Sequence, residues 1–267
     1  MAKSNLDWDA SPAEKGVTSM NQAGSGSIMH VDLWGPLAAF TPPEFRTEQF
    51  TYPVITPSAA RNIIKSIYWH PPFEVEIRRI TVYNEIKMMT MARNECKAGL
   101  PAPSIARTMQ EAARGEESAA LMKEIGSDRQ IRSSTYLTDV WYGIDFAIVP
   151  NQEINKENGY HAGEEFNLTK YREIYRKRLS QGRAFRSPYF GKRECSPVYF
   201  AERRKPGEEP KSFYDGQIMP LGPMRFDSTY TRDADGTVHE RDRIVFMPIM
   251  RNGVIDIDIN RQEVAEK

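Results

Sequence analysis

An α+β fold with a split βαβ core is predicted by three features of the sequence. The first is a succession of periods: apolar alternation from Ile28, a helical apolar stripe after Pro57, and alternation again from Phe73. The second is a return to strand at 136–149, followed by a basic amphipathic segment from Lys170. The third is Asn252-Gly253 between two apolar runs, the pattern of a tight hairpin.

Residues 1–27 are rich in Ser, Asn, Gly and Ala and have no sustained period, so a disordered extension is expected there. In SIMHVDLWG the residues Met29, Val31 and Leu33 alternate as a strand, which Gly35-Pro36 is expected to end or bend. Thr41-Pro42-Pro43 forces an extended turn. Thr56 can cap a helix and Pro57 suits its first position; Ala60, Ile63, Ile64, Ile67 and Tyr68 then form one stripe, and Pro71-Pro72 stops it. Phe73, Val75 and Ile77 alternate, and Ile80 and Val82 follow in the opposite phase, so a bulge is expected at Arg78-Arg79.

Residues 84–135 read as an insertion, rich in Met, Ala and charge, with a helix from Ser104 and a weak point at Gly115. In the strand that follows, Tyr136, Val140, Tyr142, Ile144, Phe146 and Ile148 mark one face. The loop 150–167 is polar and acidic, and in the basic helix Tyr171, Ile174, Tyr175 and Leu179 face inward up to a stop at Gly182. Pro and Gly make 205–223 a loop. This order predicts a ferredoxin-like domain over 28–200 with an insertion at about 84–135, and a C-terminal antiparallel β extension over 201–267.

The basic helix and its continuation, 170–193, hold nine Lys or Arg against the single acid Glu173, in a chain of zero formal net charge. The cationic region is therefore local. Tyr171, Tyr175, Phe185, Tyr189 and Phe190 are interleaved with it. Cations attract phosphates and exposed aromatic faces stack on unpaired bases, whereas a solvated helix face over core aromatics would give the same pattern. Arg172, Arg176, Arg183, Arg186, Lys192 and Arg193 are candidate phosphate contacts, with Arg61 and Arg93 as weaker ones. Trp34 and Trp69 are expected to pack in the core, His70 to serve a turn, and Cys195 and Met88, Met89 and Met91 to be structural or interfacial.

No apolar run is long enough to span a membrane and residues 1–27 hold no signal-like segment, so a cytoplasmic protein with no membrane partner is expected. Cys96 and Cys195 make neither a disulfide framework nor a zinc spacing, and His30, His70, His161 and His239 contain no H-x-x-x-H pair. Neither a metal nor a cofactor is expected.

Several fragments together resemble one family: VDLWGPLAAFTPPE, TYPVITPSAARNIIKSIYWHPP, MARNE, YLTDVWY, the basic run ending YFGKREC, and PIMRNGVIDID. They are similar to the type I-C CRISPR-associated Cas-five subunit, subtype d, over 28–200 and the C-terminal hairpin. The resemblance implies an RNA-recognition-like core that cuts CRISPR precursor RNA at the base of the repeat hairpin, without a metal. It further implies retention of the 5′ handle in a surveillance complex beside Cas-seven-type backbone subunits and a Cas-eight-type large subunit, with target DNA reached through the complex. The family's catalytic set is a Tyr in the IYW element and a Lys followed by His in the basic segment. Those positions hold Tyr68, Lys170 and, as a departure, Tyr171.

Such cleavage uses the 2′-hydroxyl of the RNA as nucleophile and leaves a 2′,3′-cyclic phosphate and a 5′-hydroxyl. It needs a proton acceptor, a donor to the leaving oxygen and a cation at the phosphate. Tyrosine, with a pKa of about 10, is a poor base. Catalysis can rest on Lys170 and in-line positioning, or draw an imidazole from His161; Tyr171 can equally be a packing residue. A non-catalytic RNA-handle-binding subunit is the alternative, and a general RNA-binding protein of the same fold is a third reading.

Overall fold

The computed structural model of the chain describes residues 28–45, 47–96, 102–115, 129–151, 166–202, 209–232 and 238–257. The expected extension 1–27 and His161 lie outside the described residues, as do parts of the loops predicted at 150–167 and 205–223. In chain order the elements are β1 (Ile28–Ala38), α1 (Pro57–Ile67), β2 (Phe73–Val82), β3 (Lys87–Cys96), α2 (Ala102–Ala113), β4 (Arg129–Pro150) and α3 (Leu168–Ser180). They continue as β5 (Tyr199–Glu202), β6 (Ile218–Pro220), β7 (Met224–Arg232), β8 (Val238–Phe246), β9 (Ile249–Arg251) and β10 (Val254–Asp256). The main sheet runs β5-β1-β4-β2-β10-β9-β6, with β3 also on β4, and β7 and β8 pair separately. Every strand pairing is antiparallel. The fold is thus mixed α and β around a mostly antiparallel sheet.

β1 does not end at Gly35-Pro36. It continues to Ala38, because the register steps from Gly35 opposite Val140 to Leu37 opposite Thr138 and skips Pro36, which has no N–H to give. On the facing strand Asp139 takes a positive φ of 52°, and Trp34 Nε1 donates to its Oδ1 at 2.9 Å. Trp34 is only partly buried there, not a core residue.

α1 begins as its sequence dictates. Thr56 Oγ1 accepts from Ala59 N–H at 3.2 Å, and Pro57 occupies the first turn. Ala60, Ile63, Ile64 and Ile67 are buried, each isoleucine contributing about 1.5–3 kcal/mol. The stripe does not extend to Tyr68 as helix. Tyr68 is the C-cap, with extended backbone, so its ring leaves along a different direction from the helix face. Phe73 then opens β2, whose register shifts between Ile77 and Arg79. The predicted bulge is real, and the carbonyl of Arg78 accepts from Ile257 N–H at 2.9 Å.

The insertion is more regular than its sequence. β3, which was not predicted, pairs along 129–138, so β4 starts seven residues before the expected strand. β3 is mostly exposed and shows no buried alternating face, which is why its sequence carries no strand period. α2 begins at Ala102, close to the expected Ser104, and Gly115 follows it with φ 72°.

α3 is capped by Asn167, whose Oδ1 accepts from Lys170 N–H at 2.9 Å, and ends at Gln181 with Gly182 at φ 62°. Tyr171, Tyr175 and Leu179 are buried, while Ile174 is only partly covered. Tyr175 packs on Phe146 of β4 and Tyr171 on Phe73 of β2, with ring centroids 5.3 and 5.1 Å apart.

The C-terminal hairpin turns at Asn252 and Gly253, both with positive φ, as a two-residue hairpin needs. Through β10 on β2 it extends the main sheet. The short strand β6 lies inside the stretch expected to be loop. Among the described residues no helix is long and apolar enough to cross a membrane.

After α3 the basic run is pinned to β1. Phe190 is buried against Phe40 and Tyr142, its carbonyl accepts from Ala39 N–H at 3.0 Å, and its ring would lie 2.8 Å from a Cβ at Gly35. Gly191 follows with φ 80°, and a Cβ there would stand 2.0 Å from the Ala39 carbonyl oxygen. Gly191→Ala therefore combines a disfavoured backbone with a backbone clash. It should cost at least about 2 kcal/mol and lower the melting temperature by about 5 °C or more; an unchanged melting curve would contradict the packing described.

Candidate active site

The C-terminal end of α1 and the N-terminal end of α3 meet at the turn 68–72. Tyr68 and Tyr171 both pack on Phe73, with centroids 5.5 and 5.1 Å away. Tyr171 is 1% exposed, so its ring forms a floor and does not reach solvent. Three groups lie on that floor. His70 stacks on it with centroids 6.0 Å apart and planes 25° from parallel, Phe166 is tilted at 5.6 Å, and Lys170 Nζ is 5.9 Å from the ring centre. Lys170 is itself exposed.

The last carbonyls of α1 need donors, and the basic run supplies them. Ser66 accepts from Phe185 N–H at 2.7 Å and from Arg186 N–H at 3.2 Å. Arg178 Nη1 donates to the Ile67 carbonyl at 3.3 Å, and its guanidinium lies 5.4 Å from the centre of the Tyr68 ring. These contacts bring the loop 183–186 to the C-terminal end of α1. The result is a surface with cations at Lys170, Arg178, Arg183 and Arg186, and with the aromatic rings of Phe185 and Trp69 open to solvent at 76% and 45%. Trp69 was expected in the core; at the end of α1 the chain has already turned away from it.

Of the predicted site residues, Tyr68, Lys170 and Tyr171 come together. Arg183 and Arg186 are exposed and make no ion pair among the described residues, and Arg186 lies 5.6 Å from the Phe185 ring. Arg172 is partly exposed on α3. Arg193 is exposed in the loop after Gly191.

The others are directed elsewhere. Arg176 Nε donates to Glu202 on β5 at 2.8 Å, and burial is outweighed by that bond in holding its guanidinium charged. Lys192 Nζ donates to Gln49 and lies 4.9 Å from the Tyr136 ring. Arg93 pairs with Glu194 and Tyr136 in the same cluster. Arg61 makes a two-pronged pair with Asp227, seven residues before Tyr68 and so about 10 Å away along the helix.

Sequence reasoning missed Arg178, His70 and the exposure of Trp69. The available signal was the IYWHPP block itself: a helix that ends before Tyr68 throws the next three side chains onto whatever packs at its C-terminus. Five aromatics of the basic run divide cleanly, with Tyr171, Tyr175 and Phe190 buried and Phe185 and Tyr189 exposed. Among the described residues no three His, Cys, Asp or Glu side chains converge as a metal-binding group.

Glu194 is drawn up by burial but held below the usual carboxylate range by its own backbone N–H and by Arg93. Cys195, beside it, is buried and its thiol is pushed up to about 11, first by burial and then by Glu194. At pH 8 that leaves about one part in a thousand as thiolate. Exposed Cys96 should therefore react with Ellman's reagent in the native protein, and Cys195 only after denaturation; two fast-reacting native thiols would contradict this packing.

Residues 28–258 match the family described as CRISPR-associated protein (Cas_Cas5). The chain is 32% identical over 235 residues to the CRISPR pre-crRNA endoribonuclease Cas5d of Mannheimia succiniciproducens, covering 86% of this chain and 94% of that protein. It is 34% identical over 205 residues to the Cas5d of the same description from Thermus thermophilus, covering 77% of this chain and 75% of that one. A crystal structure of a CRISPR-associated protein shares the fold, with a TM-score of 0.59 at 22% identity over 86% of this chain and 90% of that one.

Proposed function

This chain belongs to the CRISPR-associated Cas5 family, and from that premise we propose that it is an endoribonuclease that matures CRISPR precursor RNA. The relatives named as pre-crRNA endoribonucleases support RNA cleavage as its chemistry. The observation that carries the reading is the packing of Tyr68 and Tyr171 on the same Phe73 ring, with exposed Lys170 over the buried Tyr171 and with exposed cations and aromatics in the basic run.

In this reading the cut lies at the base of the repeat hairpin, needs no metal, and proceeds by attack of the 2′-hydroxyl on the adjacent phosphate. Lys170 faces the phosphate and gives a proton to the departing 5′-oxygen. Tyr68 orients the scissile group through its hydroxyl. Tyr171 supports Lys170 from beneath and does not itself meet RNA. Arg172, Arg183, Arg186 and Arg193 follow the backbone, and Phe185 and Trp69 stack on unpaired bases. Arg176, Lys192 and Arg61 remain on the contact list only if RNA displaces their present acceptors.

The strand order β5-β1-β4-β2, with α1 and α3 in the crossovers, supports a ferredoxin-like core over 28–200, to which 201–267 adds an extension. The protein works in the cytoplasm, stays on the 5′ handle after cleavage, and joins Cas-seven-type and Cas-eight-type subunits in a type I-C complex that meets target DNA. One observation favours a non-catalytic handle-binding subunit instead: the position where the family carries histidine is a buried tyrosine.

Purified protein incubated with its repeat RNA in EDTA should make one cut below the hairpin, leaving a 2′,3′-cyclic phosphate. Tight binding without a cut would select the handle-binding reading. Lys170→Ala should slow the cut by at least about 100-fold and leave affinity within about threefold. Arg183→Ala and Arg186→Ala should each reduce the slope of log affinity against log salt by about 0.7–0.9, and an unchanged slope would remove that residue from the contact surface.

A further inference from the structure

The main sheet carries a second aromatic surface, on the face away from α3. Residues directly opposite each other in a ladder project to the same side of the sheet. Met29, Val31 and Leu33 of β1 and Tyr142, Ile144 and Phe146 of β4 are buried together on one face, where Tyr175 of α3 packs on Phe146. Trp34 and Trp141, also paired in the register, project from the other face. β5 places Tyr199 opposite Trp34, and the Tyr83 ring, just past β2, lies 5.2 Å from that of Trp141. Four rings thus form one row across β5, β1, β4 and the end of β2. The row is about 14 Å wide at a strand spacing of about 4.8 Å.

Exposure rises along the row. Tyr83 is buried, Trp34 and Trp141 are partly exposed, and Tyr199 is 53% exposed beside Val198 at 68%. Among the described residues β5 is the last strand on its side of the sheet, so the row runs out to an edge. Large amphipathic rings gathered on an open face mark a surface that a partner covers. The charges bonded to these rings are carboxylates. Exposed Asp139 accepts from Trp34 Nε1 at 2.9 Å, and Asp32 accepts from the Tyr83 hydroxyl at 3.5 Å. The nearest cations in the register, His30 and Arg79, are turned to Asp145 at 2.7 and 3.9 Å. An ionised carboxylate that receives one N–H keeps acceptor sites for a further donor.

We propose that this face docks another protein through an arginine-bearing segment, whose guanidinium lies over the Trp34 and Tyr199 rings and bonds to Asp139. Charge selects the partner. The phosphates of RNA would meet Asp32 and Asp139, whereas a guanidinium is drawn both by the ring faces and by the carboxylate. Exposed Arg183 and Arg186 belong to the loop held at the C-terminal end of α1, so RNA and the protein partner take separate surfaces. The inference stands apart from RNA cleavage, because the face docks its partner whether or not the chain cuts.

The test reads protein binding and RNA binding on the same variants. A photo-crosslinker at the exposed position, Tyr199→p-benzoylphenylalanine, is introduced into the full chain in its own cells. It should join this position to a peptide of another protein with an arginine within a few residues of the crosslink. That protein is then purified and its affinity measured for the wild type, Tyr199→Ser and Asp139→Asn. The asparagine tolerates the positive φ and keeps an acceptor for Trp34 Nε1, so only the charge is removed. Tyr199→Ser should weaken the partner at least about tenfold and Asp139→Asn at least about threefold, with repeat-RNA affinity within about twofold. Replacing the partner's arginine by alanine should add little further loss on the Asp139→Asn background. Unchanged partner affinity in both variants, fully additive losses, or no crosslinked protein would overturn the proposal. A crosslink to RNA, or loss of RNA affinity in either variant, would make the face a nucleic-acid surface and overturn it as well.

Discussion

Strand β4 is buried between partners on both edges, and the rest of the structure is arranged to satisfy its backbone. One edge pairs with β1 from Leu137 to Ala147, and Gln49 continues that pairing through Ser133 and Thr135. The other edge serves β3 from Arg129 to Thr138 and β2 from Tyr142 to Pro150. The changeover between those two strands is not left open. Tyr83 N–H donates to the Trp141 carbonyl at 3.0 Å, and Asn84 Nδ2 to the Asp139 carbonyl at 2.8 Å. An unpaired amide inside a sheet would forfeit about 1–3 kcal/mol, so each filling contact constrains where the chain can go next.

That constraint places the candidate site. With β1 and β2 on either edge of β4, the connections after β1 and after β4 cross the sheet as α1 and α3, which bury Ile63, Ile64 and Ile67 and Tyr171, Tyr175 and Leu179. The C-terminus of α1 comes to the N-terminus of α3, and Phe73, the first residue of β2, is the shared contact of Tyr68 and Tyr171. The orphan carbonyls of α1 then recruit the backbone of 185 and 186 and the guanidinium of Arg178. Helix-end chemistry, more than charge, is what brings the cationic loop to the C-terminal end of α1.

Some parts of this were legible in the sequence because their causes are local. Thr56-Pro57 starts α1, Gly182 stops α3, the phase change at Arg78 makes a bulge, and Asn252-Gly253 makes a turn with two positive φ values. Others were not. β3 lies on β4 with an exposed face and so shows no period. Pro36 passes through a strand because the register skips it, opposite an Asp139 that itself takes a positive φ. Tyr68 leaves the helix one residue before the stripe suggests, and that single residue turns Trp69 out to solvent and His70 onto Tyr171.

By itself the sequence determined the order of the core elements, their caps and turns, the family motifs, and a local surplus of cations between Lys170 and Arg193. These depend on neighbours three or four residues away, or on backbone angles that only certain residues adopt. The tertiary structure alone decided which members of that surplus could face a ligand. It sent Arg176 to Glu202, Lys192 to Gln49 and Arg61 to Asp227, and left Arg183 and Arg186 exposed beside Phe185. The acceptors that make this selection come from strands and loops far along the chain. Charge pattern reports where cations are, and only the packing of distant segments decides which of them are already engaged.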